Sequence, residues 1–245
     1  MRLSYNDVWN EAVAQVRRDR PLLVALGGAF FFLPNLIVGY FAPLAPPRAG
    51  VSLVEAISAH VREHWAIILG TGLVEMLGIL AVLNLLLKAD GRTVGAAIGA
   101  SLALLPTMFV AGFLSNVAVF AGLILLLVPG IYLLGRLALV PASIVAENRR
   151  NPFDAIGRSF ALTRRFGFAV AGIFVIVFVI GAVLDFAVTR GFGSIVILLV
   201  GRDPGLLIAE IGSAVVWAAV NLLQVALAAI IYLRLAAAPA VPASG

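Results

Sequence analysis

The sequence predicts an all-α fold, a polytopic membrane bundle of six transmembrane helices with amphipathic elbow helices, built as a threefold internal elbow-hairpin repeat. Three observations lead there. Hydrophobic residues make up 62% of the 245 positions and charged residues 12%, about half the charged share of an ordinary soluble domain. Most of the surface must therefore face hydrocarbon rather than water. The apolar residues fall into six runs of bilayer-crossing length. Finally, Ala97-Ile98-Gly99-Ala100-Ser101-Leu102-Ala103-Leu104 recurs as Ala155-Ile156-Gly157-Arg158-Ser159-Phe160-Ala161-Leu162, each directly ahead of an apolar run, which is how an internal repeat shows itself.

Taken in order, the first span is expected from Leu22 to Phe41 and the second from Ala66 to Leu87, joined by a loop holding Pro43, Pro46 and Pro47. The third runs from Thr107 to Leu127. Val128-Pro129-Gly130 then interrupts the apolar stretch, and Ile131 to Ala146 returns as a short fourth span, because one helix through all of it would greatly exceed the bilayer. A kinked single span beginning near Val94 is the alternative for the third. The fifth span is expected from Phe166 to Val188 and the sixth from Leu206 to Leu235, with Pro34 and Pro106 marking kinks or boundaries. Residues 1–238 thus form a single integral membrane domain, with repeats of about 4–88, 91–147 and 151–235, and residues 239–245 form a disordered tail.

Each repeat opens on a short segment. Ser4 and Asp7 start the first, whose apolar side is Val8, Trp9, Ala12, Val13 and Val16 and whose end is Arg17-Arg18. Asn151-Pro152-Phe153-Asp154 starts the third with a capping asparagine, a proline at the first helical position and an acid against the positive helix end. Phe153, Ile156 and Phe160 line one face of it, Asp154 and Arg158 pair on another, and Arg164-Arg165 close it, as expected of a helix in the headgroup plane. The middle segment differs: Gly91, Gly95, Gly99 and Ala103, spaced by four, predict close packing on a neighbour.

Arg2, Arg17, Arg18, Arg20, Lys88, Arg92, Arg149, Arg150, Arg158, Arg164, Arg165 and Arg234 fall on one side of these spans, against Arg48, Arg62, Arg190 and Arg202 on the other. The positive-inside rule makes both termini cytoplasmic. Asp7, Glu11 and Asp19 break up the basic region that a signal peptide would need, so the first hairpin is expected to be retained. A pI near 10.4 suits nucleic acid in a soluble module. Here the arginines flank apolar runs, which selects anionic lipid headgroups as partners and excludes nucleic acid. Absence of cysteine removes disulfides and thiolate chemistry.

Val128-Pro129-Gly130-Ile131-Tyr132, then Pro141 and Glu147, then Ala155, Arg158-Ser159, Leu162 and Thr163-Arg164 resemble the recurring pattern of the glycerophosphoryl diester phosphodiesterase membrane-domain family. The likeness covers about Leu125 to Arg165. That family groups multi-span bacterial membrane proteins of mostly unknown function, some fused to a soluble phosphodiesterase. The resemblance is to the membrane part and implies a multi-pass protein of the bacterial inner (cytoplasmic) membrane. These residues leave no room for the catalytic barrel, and no phosphodiesterase activity is carried over.

His60-Val61-Arg62-Glu63-His64 reads as H-x-x-E-H, a zinc motif of two histidines and a glutamate base. Ser52 and Glu55 form a capping box ahead of it and Leu53, Ile57 and Val61 present an apolar side, so an interfacial helix ending at Trp65 accounts for the segment without metal. A third ligand would have to come from Asp185 or Asp203, at no characteristic spacing. Neither a metal nor another cofactor is expected.

Glu75, Arg136, Asp185 and Glu210 lie within spans two, four, five and six. A charge near the bilayer centre costs about 3 kcal/mol on the insertion scale, so such groups turn inward, pair or line a wet cavity. They define a candidate buried-charge pocket, in which one arginine faces three acids. Arg17, Arg18, Arg158, Arg164 and Arg165 define a candidate headgroup-binding surface. The expectation is a non-enzymatic membrane protein that organises or binds lipid or a partner membrane protein; a small transporter with an outward-facing polar pocket is the alternative.

Overall fold

The computed structural model describes residues 5–44, 50–88 and 93–237. Among these residues it is helical nearly throughout, and six stretches are long and apolar enough to cross a membrane: Arg20–Phe41, Val54–Leu87, Val94–Leu125, Leu127–Ala146, Gly167–Val200 and Arg202–Ala237. Phe113, Phe120, Val183 and Leu198 on these helices are all more than half exposed, a surface suited to lipid. The fold is that of an all-helical multi-pass membrane protein.

Helix α1 (Tyr5–Arg18) carries Asp7 in its first turn and Arg17 and Arg18 in its last, each sign opposing the helix dipole. It buries Val8 and Ala12 and leaves Trp9 exposed; the expected Ser4 cap lies outside the described residues. The first span is α2 (Arg20–Gly27), a π-helical turn over Gly28–Phe32, and α3 (Leu33–Phe41), with Pro34 at the start of α3. Helix α4 (Leu53–Leu87) joins the amphipathic segment to the second span across a break at His64, where φ is −114° and ψ 18°, one residue from the expected end at Trp65. Its capping box is formed: the Ser52 N–H donates to Glu55 Oε2 at 3.0 Å and the Glu55 N–H to Ser52 Oγ at 3.2 Å.

Helix α5 (Val94–Leu125) runs without interruption from its Thr93 cap through Pro106. The alternative of a single span from Val94 is the observed one, and there is no separate middle elbow. The glycine stripe also packs differently from expectation. Gly95 and Gly99 are exposed and an added Cβ at either would meet nothing within 4 Å, whereas Ala97, Ser101 and Leu104 are buried. Burial here rewards the face that has side chains to remove from solvent. Gly91 lies outside the described residues.

Helix α6 (Leu127–Leu137) follows after a single extended residue, Leu126, with φ −159° and ψ 140°. The reversal therefore precedes Val128-Pro129-Gly130, which form the opening turn of α6, where a missing N–H costs nothing. Gly130 lets α6 approach α5: an added Cβ on Gly122 would stand 3.0 Å from the Gly130 Cα. Helix α7 (Val140–Ala146) ends on Asn148 in the left-handed region, φ 49°. The Arg149 N–H returns to the Ile144 carbonyl and the Asn148 N–H to that of Val145, the double bond of a Schellman cap. Helix α8 (Pro152–Thr163) starts on Asn151, whose side chain accepts from the Phe153 N–H at 3.0 Å.

Helix α9 (Gly167–Phe186) continues through a π-helical turn over Ala187–Phe192 into α10 (Gly193–Val200). The fifth span thus runs on to Val200 rather than ending near Val188, because no proline stops it and the π turn absorbs the extra residue. Gly201, with φ +91°, makes the reversal. Helix α11 (Arg202–Ala237) then begins ahead of the expected Leu206, and the rest of the chain, with Pro239 and Pro242, is outside the described residues.

The chain divides into two compact units. The first comprises Met1–Leu23, Ile79–Phe178 and Leu223–Gly245, and the second Val24–Gly78 and Val179–Leu222. In the first, α5 packs along α6 and α7, and α8 packs on all three; Leu80, Leu83, Leu139, Ile144, Leu227 and Ile231 are fully buried there. In the second, Phe31 is fully buried.

Candidate functional site

In the first unit, polar groups converge on the corner between α7 and α8. The Schellman cap aims Glu147 at three donors. Arg149 Nε donates to Glu147 Oε2 at 2.6 Å, Arg158 Nε to Oε1, and the Tyr232 hydroxyl of α11 to Oε1 at 2.6 Å. Burial pushes the Glu147 carboxyl up, but the hydrogen bonds from Tyr232, Arg158 and Arg149 and the Arg158 charge outweigh it and hold the group below the usual carboxylate range. Burial lowers Arg158 and its bond to Glu147 raises it, with a net rise. The expected Asp154–Arg158 pair is not made, because Glu147 offers Arg158 a less exposed partner that also bonds Tyr232.

Below this corner α8 lies against α6 and α7 on a face of small residues, Ala155, Ser159 and Thr163, all fully buried. Ser143 Oγ donates to the Ala155 carbonyl at 3.1 Å, and Ser159 Oγ and Thr163 Oγ1 both donate to the Arg136 carbonyl, at 2.6 and 3.3 Å. Phe153 stays exposed and Ile156 and Phe160 half-buried. The repeat-related Ser101 is likewise fully buried and accepts from Asn84 Nδ2 at 3.0 Å.

Arg136 is 8% exposed, and its guanidinium lies 4.7 Å from the Phe160 ring centre and 5.5 Å from that of Tyr132. Its Nε and Nη1 are buried without a hydrogen-bond partner. Its stem runs over Gly167, where an added Cβ would stand 3.0 Å from Arg136 Cδ.

The remaining basic candidates are peripheral. Arg17, Arg18, Arg164 and Arg165 are exposed. Arg18 approaches Asp19 at 3.7 Å, whereas Arg164 and Arg165 have no carboxylate partner among the described residues. Glu11 and Arg234 form a two-pronged pair, 3.0 and 2.6 Å, that ties α1 to α11. Between α5, α6, α7, α9 and α11 lies a largely apolar cavity of about 420 Å³, with Ser115, Asn116 and Gln224 as its polar positions.

The three acids belong to the second unit and Arg136 to the first. Glu75 Oε1 accepts from Asn35 Nδ2 at 2.9 Å, which also bonds the Phe31 carbonyl of the π turn at 2.8 Å. Asp185 accepts from Ser213 Oγ and lies within electrostatic reach of Glu210, while the Glu210 carboxylate rests on Gly39 of α3. His60 and His64 have ring centres 4.9 Å apart, and Glu63 touches His64 at 4.0 Å. No third ligand joins them among the described residues.

Sequence reasoning missed the Glu147–Tyr232 contact. The available signal was one of sign: a lone glutamate at the end of a span, amid Arg149, Arg150 and Arg158, needs a structural reason. The site and fold define a helical multi-pass membrane protein with a basic corner. No family model, curated protein or solved structure matches the chain.

Proposed function

We propose that this is a non-enzymatic protein of the bacterial inner membrane, with both termini cytoplasmic, that binds anionic phospholipid headgroups along its basic elbows and so organises lipid or a partner membrane protein. The observation that carries this reading is Arg164-Arg165. The pair is exposed at the bend between α8 and the membrane-spanning α9, with no carboxylate partner among the described residues, and Phe153 and Phe168 are exposed on either side in sequence. Basic groups beside exposed aromatics suit the headgroup layer. The lateral cavity is of a size and polarity to take acyl-chain segments. The resemblance to the phosphodiesterase membrane-domain family belongs to this same reading.

The test is native mass spectrometry of the protein from nanodiscs of mixed phosphatidylglycerol and phosphatidylcholine. Wild type is expected to retain phosphatidylglycerol above its bulk share, and the double variant Arg164→Gln, Arg165→Gln to lose part of that excess. Bulk composition in both would remove the proposal.

A transporter is the second reading, favoured by Glu75, Asp185 and Glu210, which have no ion-pair partner among the described residues, and by π-helical turns close to Asn35 and Asp185. Glu75→Gln keeps an acceptor for Asn35. A proteoliposome flux of protons or cations that this folded variant abolishes would decide for transport.

A further inference from the structure

We propose that Arg136 is the seat of one specific phosphate-type oxyanion, the headgroup phosphate of an anionic phospholipid. The inference deepens the lipid-binding reading and rests on it. Arg136 is more than nine-tenths buried as a residue, yet no carboxylate pairs with it among the described residues. Glu147, the acid nearest in sequence, is already shared by Arg149, Arg158 and Tyr232. What Arg136 does have is partial compensation: two ring faces, at 4.7 and 5.5 Å, and the carbonyl end of α6. A buried cation normally has a full counter-charge.

The neighbouring turn between α8 and α9 is basic. The Arg136 stem lies across Gly167, the first residue of α9, so the head stands close to the positive end of that helix dipole. Arg164 and Arg165 lie just before Gly167 in sequence and have no carboxylate partner among the described residues. An anion at this turn would meet the guanidinium and the positive end of the α9 dipole, with two arginines just before it in sequence, a setting suited to phosphate. Nε and Nη1 of Arg136 are both buried without a hydrogen-bond partner. Phe160, Tyr132 and Phe168, whose ring centre is 5.1 Å from that of Tyr132, supply apolar walls that suit a lipid better than a free ion.

The experiment begins with wild type alone. Delipidated protein is reloaded with phosphatidylglycerol, phosphatidylcholine or inorganic phosphate and examined by native mass spectrometry and thermal unfolding. One phosphatidylglycerol is expected to survive activation that strips the others and to raise the unfolding midpoint, with inorganic phosphate much weaker. Equal retention of the two lipids overturns the proposal without any variant, and an equal shift with inorganic phosphate reassigns the site to a soluble anion. Arg136→Gln, checked for helicity and monodispersity, is expected to lose that one lipid at least tenfold, and Arg136→Lys to keep it partially. If Arg136→Gln keeps it while the Arg164→Gln, Arg165→Gln variant loses phosphatidylglycerol, the elbow reading stands and this site falls; no anionic preference anywhere removes both.

Discussion

Glu147 and Tyr232 lie 85 residues apart and meet through a hydrogen bond of 2.6 Å. The hydroxyl belongs to the last span and the carboxylate to the cap of α7, so one contact fastens the end of α11 to the α7–α8 corner. Tyr232 is 4% exposed, and its removal takes one of three donors from a charged acceptor. Tyr232→Phe is expected to lower stability by about 1.5–3 kcal/mol, read from unfolding in detergent. Glu147→Gln is expected to be no milder, and the pair of changes to be non-additive.

The same carboxylate makes stability depend on pH. Glu147 is held below the ordinary carboxylate range in the folded protein, so its contribution is complete above the unfolded value of about 4.3. It is lost as pH falls through the lower, folded value. The unfolding midpoint of wild type is expected to drop more steeply below about pH 4.3 than that of Glu147→Gln. Parallel curves would show that another acid dominates.

Two glycines of contrasting environment give opposite expectations. An added Cβ on Gly135 would collide with the Gly167 carbonyl oxygen and stand 2.8 Å from the Ala171 N, all backbone that has nowhere to go. Gly135→Ala should cost about 1–3 kcal/mol or more. At Gly99, where nothing lies within 4 Å, alanine should be neutral or stabilising by up to about 1 kcal/mol. Thermal midpoints of the two variants measured side by side check both.

Capping supplies a local test. Asn151 satisfies the Phe153 N–H at 3.0 Å, and Asn151→Ala is expected to cost about 1 kcal/mol. Thr93, which accepts from the Ala96 N–H at 3.3 Å, occupies the same place ahead of the repeated octapeptide. Thr93→Ala should act in the same direction. Hydrogen exchange at the first turns of α5 and α8 localises both losses.

How far the fold was legible depended on the range of the interaction. The Ser52–Glu55 box, the Asn151 cap and the break at His64 rest on residues within a few positions of each other, and all were readable. Proline was the misleading signal. Pro106 reads as a boundary, yet α5 passes through it; Val128-Pro129-Gly130 reads as the reversal, yet Leu126 makes it, since proline is at home in a first helical turn. The end of the fifth span was hidden because a π turn leaves no compositional trace. At the candidate site, the exposed arginines were evident from charge and spacing. The surroundings of Arg136 were not, because Phe160, Ser159 and Thr163 reach it through the folding back of α8, and that depends on packing rather than on neighbours in sequence.

The single-residue connection at Leu126 also bears on how the protein is made. Between Arg92 and Arg136 the sequence has no charged residue, and the reversal inside that stretch has no loop to hydrate. Neither helix of the pair can wait in the membrane with a polar connector parked in water. Insertion of α5 and α6 must be a joint event, oriented by the arginines that flank the pair, and a tag or protease site placed at Leu126 would split a biogenetic unit rather than decorate a surface.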